Sequence, residues 1–108
     1  MKTFKLVTPY GTYNDCYFRM YKYKIDNSLC LGIYNDEDGA IVRLTIRLDT
    51  VPNNHAYLDI NNCPFAEDLV EDLEIAKPTG KWIGRGFCAY PLYKFNINKV
   101  LEYVGING

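Results

Sequence analysis

Between Ala40 and Asp49 the chain reads AIVRLTIRLD, and no other run restricts the fold as much. Ala40, Val42, Leu44, Ile46 and Leu48 recur at every second position, with Arg43, Thr45 and Arg47 between them. A period of two belongs to a strand with one buried face, whereas a helix would repeat its apolar residues at i, i+3 and i+4. Ile41 interrupts the polar side only at its start. Such a strand needs neighbours to pair with and a layer to cover it.

The flanking sequence supplies the neighbours. KTFKLV (2–7) reads as a short strand closed by Pro9 and Gly11. CYFRMYKYKID (16–26) puts Tyr17, Arg19, Tyr21, Tyr23 and Ile25 on one face, and Phe18, Met20, Lys22 and Lys24 on the other. Asn27-Ser28 turns this run into LCLGIYN (29–35), and DEDG (36–39) turns that one into the opening stretch. A VPNNH loop leads to a further short strand, AYLDIN (56–61). The connections are too short for crossover helices, so an antiparallel meander is expected. Ten Tyr, five Phe and one Trp in 108 residues suit pleated, half-buried surfaces.

The periodicity then changes. In DINNCPFAEDLVEDLE (59–74), Phe65, Ala66, Leu69, Val70 and Leu73 form one helical stripe. Asn62 or Cys63 is placed to cap this helix, and Pro64 suits its first turn. KPTG (77–80) is the expected stop. KWIGRGFCAYPLYKFN (81–96) begins as a glycine-bearing loop and continues as a strand, with Pro91 marking an edge or a bulge. A last helix over 97–104, capped by Asn96 and stopped by Gly105, turns Ile97, Val100, Leu101 and Val104 to the sheet. The expected fold is a single α+β domain over residues 1–108. It has a mainly antiparallel sheet of about five strands, with the 63–75 helix and the short C-terminal helix on one face.

The net charge of −1 conceals strong segregation. Residues 1–30 carry +3, 31–54 carry −2, 55–76 carry −6 and 77–108 carry +4. The acidic block comprises Asp59 and the helix residues Glu67, Asp68, Glu71, Asp72 and Glu74, without one Lys or Arg. A solvated helix face is the commoner meaning of such a block; an electrostatic interaction surface is the functional one. No run of about 18 apolar residues offers a transmembrane helix, and the amino terminus lacks the apolar core of a signal peptide, so the cytoplasm is the expected compartment.

Candidate chemistry is sparse. Cys16, Cys30, Cys63 and Cys88 form no close pair, and one His cannot complete a zinc set with them; the expectation is buried, reduced thiols, no metal and no cofactor. Cys63 at a helix start could have its pKa lowered by the helix dipole, with His55 as base and Asp59 orienting it. The surrounding acids oppose a thiolate there. GKWIGRG (80–86) fails as a phosphate loop, because GxxxxGK[ST] must lie between a strand and a helix. Lys81, Trp82 and Arg85 on an exposed loop would instead make a binding anchor. Tyr21 and Tyr23 alternating with Lys22 and Lys24 could stack on bases beside phosphates. Half-buried sheet aromatics are the commoner meaning of such a run, and the acidic balance of the chain does not favour nucleic acid.

The stretch YLDINNCPFAEDLVEDLEIAKPTGKWIGRGFCAYPLYKF (57–95) resembles a family of small, function-unknown proteins carried by conjugative elements and prophages of bacteria. The similar features are an LDxNNCPxAExL helix start and an xPTGxxxxxGFCxYPLYxF segment. The resemblance implies no catalytic residues. Small proteins of such elements often disarm host defence, and some anti-CRISPR inhibitors are similar in size and charge. The expected function is therefore a non-catalytic interaction protein that engages a host protein, such as a Cas nuclease or its guide-RNA complex. Its contacts would be Glu67, Asp68, Glu71, Asp72, Lys81, Trp82 and Arg85. The alternatives are direct nucleic-acid binding through residues 21–24 with the 77–85 segment, and a thiol enzyme at Cys63.

Overall fold

The computed structural model describes residues 1–105. Their strands are β1 (Phe4–Thr8), β2 (Gly11–Lys22), β3 (Leu29–Asn35), β4 (Gly39–Arg43), β5 (Thr45–Ile46), β6 (His55–Leu58), β7 (Ala76–Arg85) and β8 (Cys88–Phe95). Two short helices join them, α1 (Ala66–Asp72) and α2 (Ile97–Leu101). The α+β class and the antiparallel pairing are as the periodicity predicts. The sheet count is not: there are two four-stranded sheets, ordered β1-β2-β3-β4 and β5-β6-β8-β7.

The division falls inside the stretch that reads as one strand. Leu44 is fully buried at the break between β4 and β5. Its N–H donates to Leu31 O at 2.9 Å, in the first sheet, while its carbonyl accepts from Asp59 N–H at 2.9 Å, beside the second. Thr45 follows with its hydroxyl accepting from Leu31 N–H at 3.1 Å. One chain thus feeds both sheets, and the apolar face divides with it. Val42 and Leu44 pack in the main core, whereas Ile46 and Leu48 pack around a second cluster of Tyr57, Tyr90 and Leu92.

The main core is closed by the inner faces of both sheets and by the two helices. Phe18, Leu31 and Ile33 enter from the first sheet, Leu58, Tyr93 and Phe95 from the second, Ala66 and Val70 from α1, and Val100 from α2. Burial of these large side chains, each stabilising by about 1.5–3 kcal/mol, is what joins the layers. The chain ends are tied to it as well: Lys2 N–H donates to Glu102 O at 2.8 Å, and Phe18 N–H to Tyr103 O at 2.8 Å.

Both helices differ in extent from the expectation. α1 begins at Ala66, after Phe65, and no side chain caps it. Residues 59–65 form turns instead, in which Asp59 accepts from Asn62 N–H at 3.3 Å and from the Asn62 side-chain amide at 2.9 Å. It also ends before KPTG. Glu74 takes a left-handed φ of 59°, and Glu74 N–H to Glu71 O with Ile75 N–H to Val70 O, both 3.0 Å, closes a Schellman motif. Asn96 caps α2 as predicted, accepting from Lys99 N–H at 3.2 Å. Leu101, expected against the sheet, is exposed because α2 ends there.

Candidate interaction surface

The segment expected to be a loop, residues 77–86, is mostly strand. β7 and β8 form a hairpin joined only by Gly86-Phe87, with Arg85 opposite Cys88. Gly86 has φ +62°, and glycine in the first position of a two-residue connection suits the strong twist of a hairpin. The hairpin tip is Phe87, fully exposed.

A bulge interrupts the pairing of β7 with β8. Pro78 pairs with Tyr93, but Trp82 pairs with Pro91, so two extra residues are accommodated between them. Thr79 pins the irregularity, its hydroxyl donating to Leu92 O at 2.9 Å and accepting from Lys81 N–H at 3.1 Å. Pro91 therefore marks a bulge but not an edge: β8 lies between β6 and β7, and β7 is the edge strand. After the bulge Trp82 shares a face with Pro91 and Tyr93, whereas Arg85 shares the opposite face with Cys88 and Tyr90.

Tyr93 links that face to the acidic helix. Its ring is buried, and its hydroxyl lies 2.8 Å from Glu67 Oε1 and 2.8 Å from Glu71 Oε2. One hydroxyl proton serves two carboxylates one helical turn apart, offsetting the repulsion that like charges at i, i+4 produce. Burial first, then the two carboxylates, push the phenol well above its ordinary range. Asp68 and Asp72 are exposed beside them. Trp82, half exposed, stands opposite Pro91, roughly 7 Å along β8 from Tyr93.

The seven residues singled out from sequence are thus brought together only in part. Glu67, Asp68, Glu71 and Asp72 on α1 and Trp82 on β7 belong to one side of the second sheet. Lys81 is exposed within the bulge. Arg85 lies on the other face and is engaged, its guanidinium donating to Leu48 O and Gly84 O at 3.0 Å each. Phe87 was not legible as part of the surface. Its signal was the pair of strand-like runs on either side of Gly86, which is a hairpin pattern rather than a loop.

The other candidates are dispersed. Cys63 is fully buried and donates to Arg43 O at 3.4 Å. Burial, and then the charge of Asp59, push its thiol up to about 12, the reverse of the activation a helix start would give. His55 contacts Asn53 O at 2.8 Å through Nδ1, and Asp59 is occupied with Asn62. Cys16 and Cys30 are buried, Cys88 is half-buried, and all four thiols are free. Tyr21 faces outward, but the Tyr23 hydroxyl is turned to Thr45, 3.3 Å from Oγ1. Lys22 is opposite Leu29 on the other face of β2 from Tyr21, and Lys24 is exposed in the following turn. Among the described residues no three His, Cys, Asp or Glu side chains converge to hold a metal ion, and no helix is long and apolar enough to cross a membrane.

No curated protein and no solved structure matches the chain. A family model does, over residues 17–106, which takes in the second sheet and the first from the middle of β2 onward, and extends well before the 57–95 stretch that carries the recognisable motifs. The chain belongs to the family described as domain of unknown function DUF4313.

Proposed function

We propose that this domain is a non-catalytic interaction protein that engages a macromolecular partner through the side of the second sheet shared by α1 and the β7–β8 hairpin. The observation that carries the reading is the hairpin itself. It holds Trp82 half exposed and Phe87 fully exposed on a tightly turned support, next to a helix whose acidic side chains are partly fixed by Tyr93. Exposed aromatics beside a charged rim are the composition of binding hot spots, and a preorganised acidic face suits a basic groove. In its specific form the proposal is an inhibitor of a host-defence nuclease of the CRISPR–Cas kind, in which the α1 acids occupy a groove made for nucleic acid. That form is supported by the segregated charge and by the resemblance of residues 57–95 to proteins of mobile elements.

The test is target cleavage by purified Cas effectors in the presence of this protein. Wild type should suppress cleavage by one of them. Asp68→Lys with Asp72→Lys, and Trp82→Ala with Phe87→Ala, should each release it while leaving the circular dichroism spectrum unchanged. Cleavage unaffected by wild type throughout an effector panel sinks the nuclease form. Suppression by both double variants, equal to wild type, sinks the assigned surface.

A further inference from the structure

The outward face of the first sheet carries a second constellation, separate from the hairpin. Arg19, Gly32 and Arg43 are register partners across β2, β3 and β4, so the two arginines flank a glycine on one face. Tyr21 pairs with Cys30, and Tyr17 with Tyr34, on that same face. The Arg19 guanidinium lies over the Tyr34 ring, 4.6 Å from its centroid, and the Tyr17 ring is nearly parallel to Tyr34 at 6.4 Å. Gly32 makes this possible: a Cβ there would come within 2.8 Å of Tyr34 Cε1.

Two features show the face to be unfinished as pure packing. The ion pairs among the described residues are Lys2–Glu102 and Arg47–Asp26, so neither Arg19 nor Arg43 has a carboxylate partner there. Tyr21 is 46% exposed, and Tyr21, Gly32, Tyr34 and Arg43 border a notch of about 210 Å³. That is below the roughly 300–1,000 Å³ of sites for drug-sized ligands, and it suits a single flat ring. Guanidinium groups without a carboxylate partner call for an anion, and an exposed aromatic ring beside a ring-sized notch calls for a planar group. An acidic peptide would satisfy the first and leave the second unused; a nucleotide chain satisfies both.

We propose that the outer face of the β1-β2-β3-β4 sheet binds single-stranded nucleic acid. One unpaired base stacks on Tyr21 beside the Arg19–Tyr34 pair, and Arg19 and Arg43 take flanking phosphates. The Arg19 plane, backed by Tyr34, offers a second stacking surface. The acidic helix α1 packs against β7 of the other sheet, and so does not belong to this face.

The experiment is fluorescence anisotropy with a fluorescein-labelled single-stranded RNA 10-mer of mixed sequence, and its DNA counterpart, over a series of salt concentrations. Binding should weaken with salt at a log–log slope of about −1.4, for two phosphate contacts at about 0.7 each. Tyr21→Ala and Arg43→Ala should each weaken binding about tenfold, and Arg43→Ala should also reduce the slope by about 0.7. Tyr21→Phe should bind like wild type, because the ring rather than the hydroxyl stacks. Both alanine positions are exposed, and unchanged melting temperatures would confirm that the variants fold. Trp82→Ala with Phe87→Ala should leave this binding intact, which separates it from the hairpin surface. The proposal is overturned by absence of binding at low salt, by wild-type binding in both alanine variants, or by a hexaglutamate peptide competing as well as the oligonucleotide.

Discussion

β2 and β7 are both long strands, of 12 and 10 residues, and each carries a large aromatic side chain near its middle, Phe18 and Trp82. Their fates differ. In β2, Phe18 is fully buried, its ring centroid 4.9 Å from Phe4 and 6.4 Å from Tyr103, with β1 on one side and β3 on the other. In β7, Trp82 is half exposed, and the hairpin it forms with β8 ends in a phenylalanine with no cover. Alternation decides which residues share a face, but an apolar residue is buried only where another layer meets that face. β2 runs through the middle of its sheet under the core. β7 is an edge, and beyond the bulge it extends past the residues that α1 covers.

The comparison breaks most visibly at Phe18. Phe18→Ala should cost about 3–5 kcal/mol, read as a fall in the urea midpoint, because a cavity opens in the main core beside the rings of Phe4 and Tyr103. A loss under 1 kcal/mol would mean that the two strands are less different than their burial indicates.

Tyr93 is where the covered part of the second sheet gives way to the open hairpin. Tyr93→Phe keeps the packing but removes the proton shared by Glu67 and Glu71. The expected loss is about 1.5 kcal/mol, at the lower end for hydrogen bonds to charged groups because both carboxylates can rehydrate. The variant should also exchange the amide hydrogens of α1 faster. Wild-type exchange in α1 would detach the helix from the hairpin face.

Cys63 gives a smaller effect that is confined to alkali. Its thiol is held neutral by burial, so the folded protein retains a proton that the unfolded chain releases near the ordinary value of 9.0. The contribution is complete below pH 9 and is lost as pH rises towards about 12. The raised Tyr93 phenol acts in the same direction once the pH passes its ordinary value of 10.0, and it remains in Cys63→Ala. Urea midpoints at about pH 7.5 and about pH 10.5 should therefore separate in wild type and draw closer in Cys63→Ala, which starts lower from its lost packing. An unchanged separation would place the titration elsewhere.

The smallest effect on stability belongs to the hairpin. Phe87→Ala should stay within about 0.5 kcal/mol, since an exposed side chain contributes little to the fold. If it also leaves partner binding untouched, the fully exposed ring has no interaction role.

Much of the local structure was legible because it depends on neighbours in the chain. The Asn96 cap, the DEDG turn and the apolar stripe Ala66–Val70 follow from side-chain hydrogen bonding and period alone. The break at Leu44 was not, because AIVRLTIRLD alternates equally well in one sheet or in two. β7 reads as a loop because Pro78, Gly80 and Gly84 are poor strand formers, yet an edge strand tolerates proline and a bulge accommodates glycine; β8 is legible as a strand. For the candidate surface, the acids of α1 and Trp82 could be named from charge and residue type. That Arg85 points away from Trp82 follows from alternation along β7, which is hidden as long as the segment reads as a loop. Arg19, Tyr34 and Gly32 could not be associated at all, since they meet across a strand pair.

The sequence by itself determined the elements: strands where apolar residues alternate, a helix where they recur at 3.6, and an acidic block on that helix. These follow from backbone geometry and from the preference of apolar groups to leave water, both of which act over a few residues. Tertiary structure alone decided that the strands form two sheets, that Cys63 is sealed and unreactive in charge state, and that Tyr93 couples α1 to the hairpin. Each depends on what comes to lie against a face once the chain has closed. Burial and hydrogen-bond partners are properties of that closure, set across gaps of 20 residues or more, as between Cys63 and Arg43 or Tyr93 and Glu71.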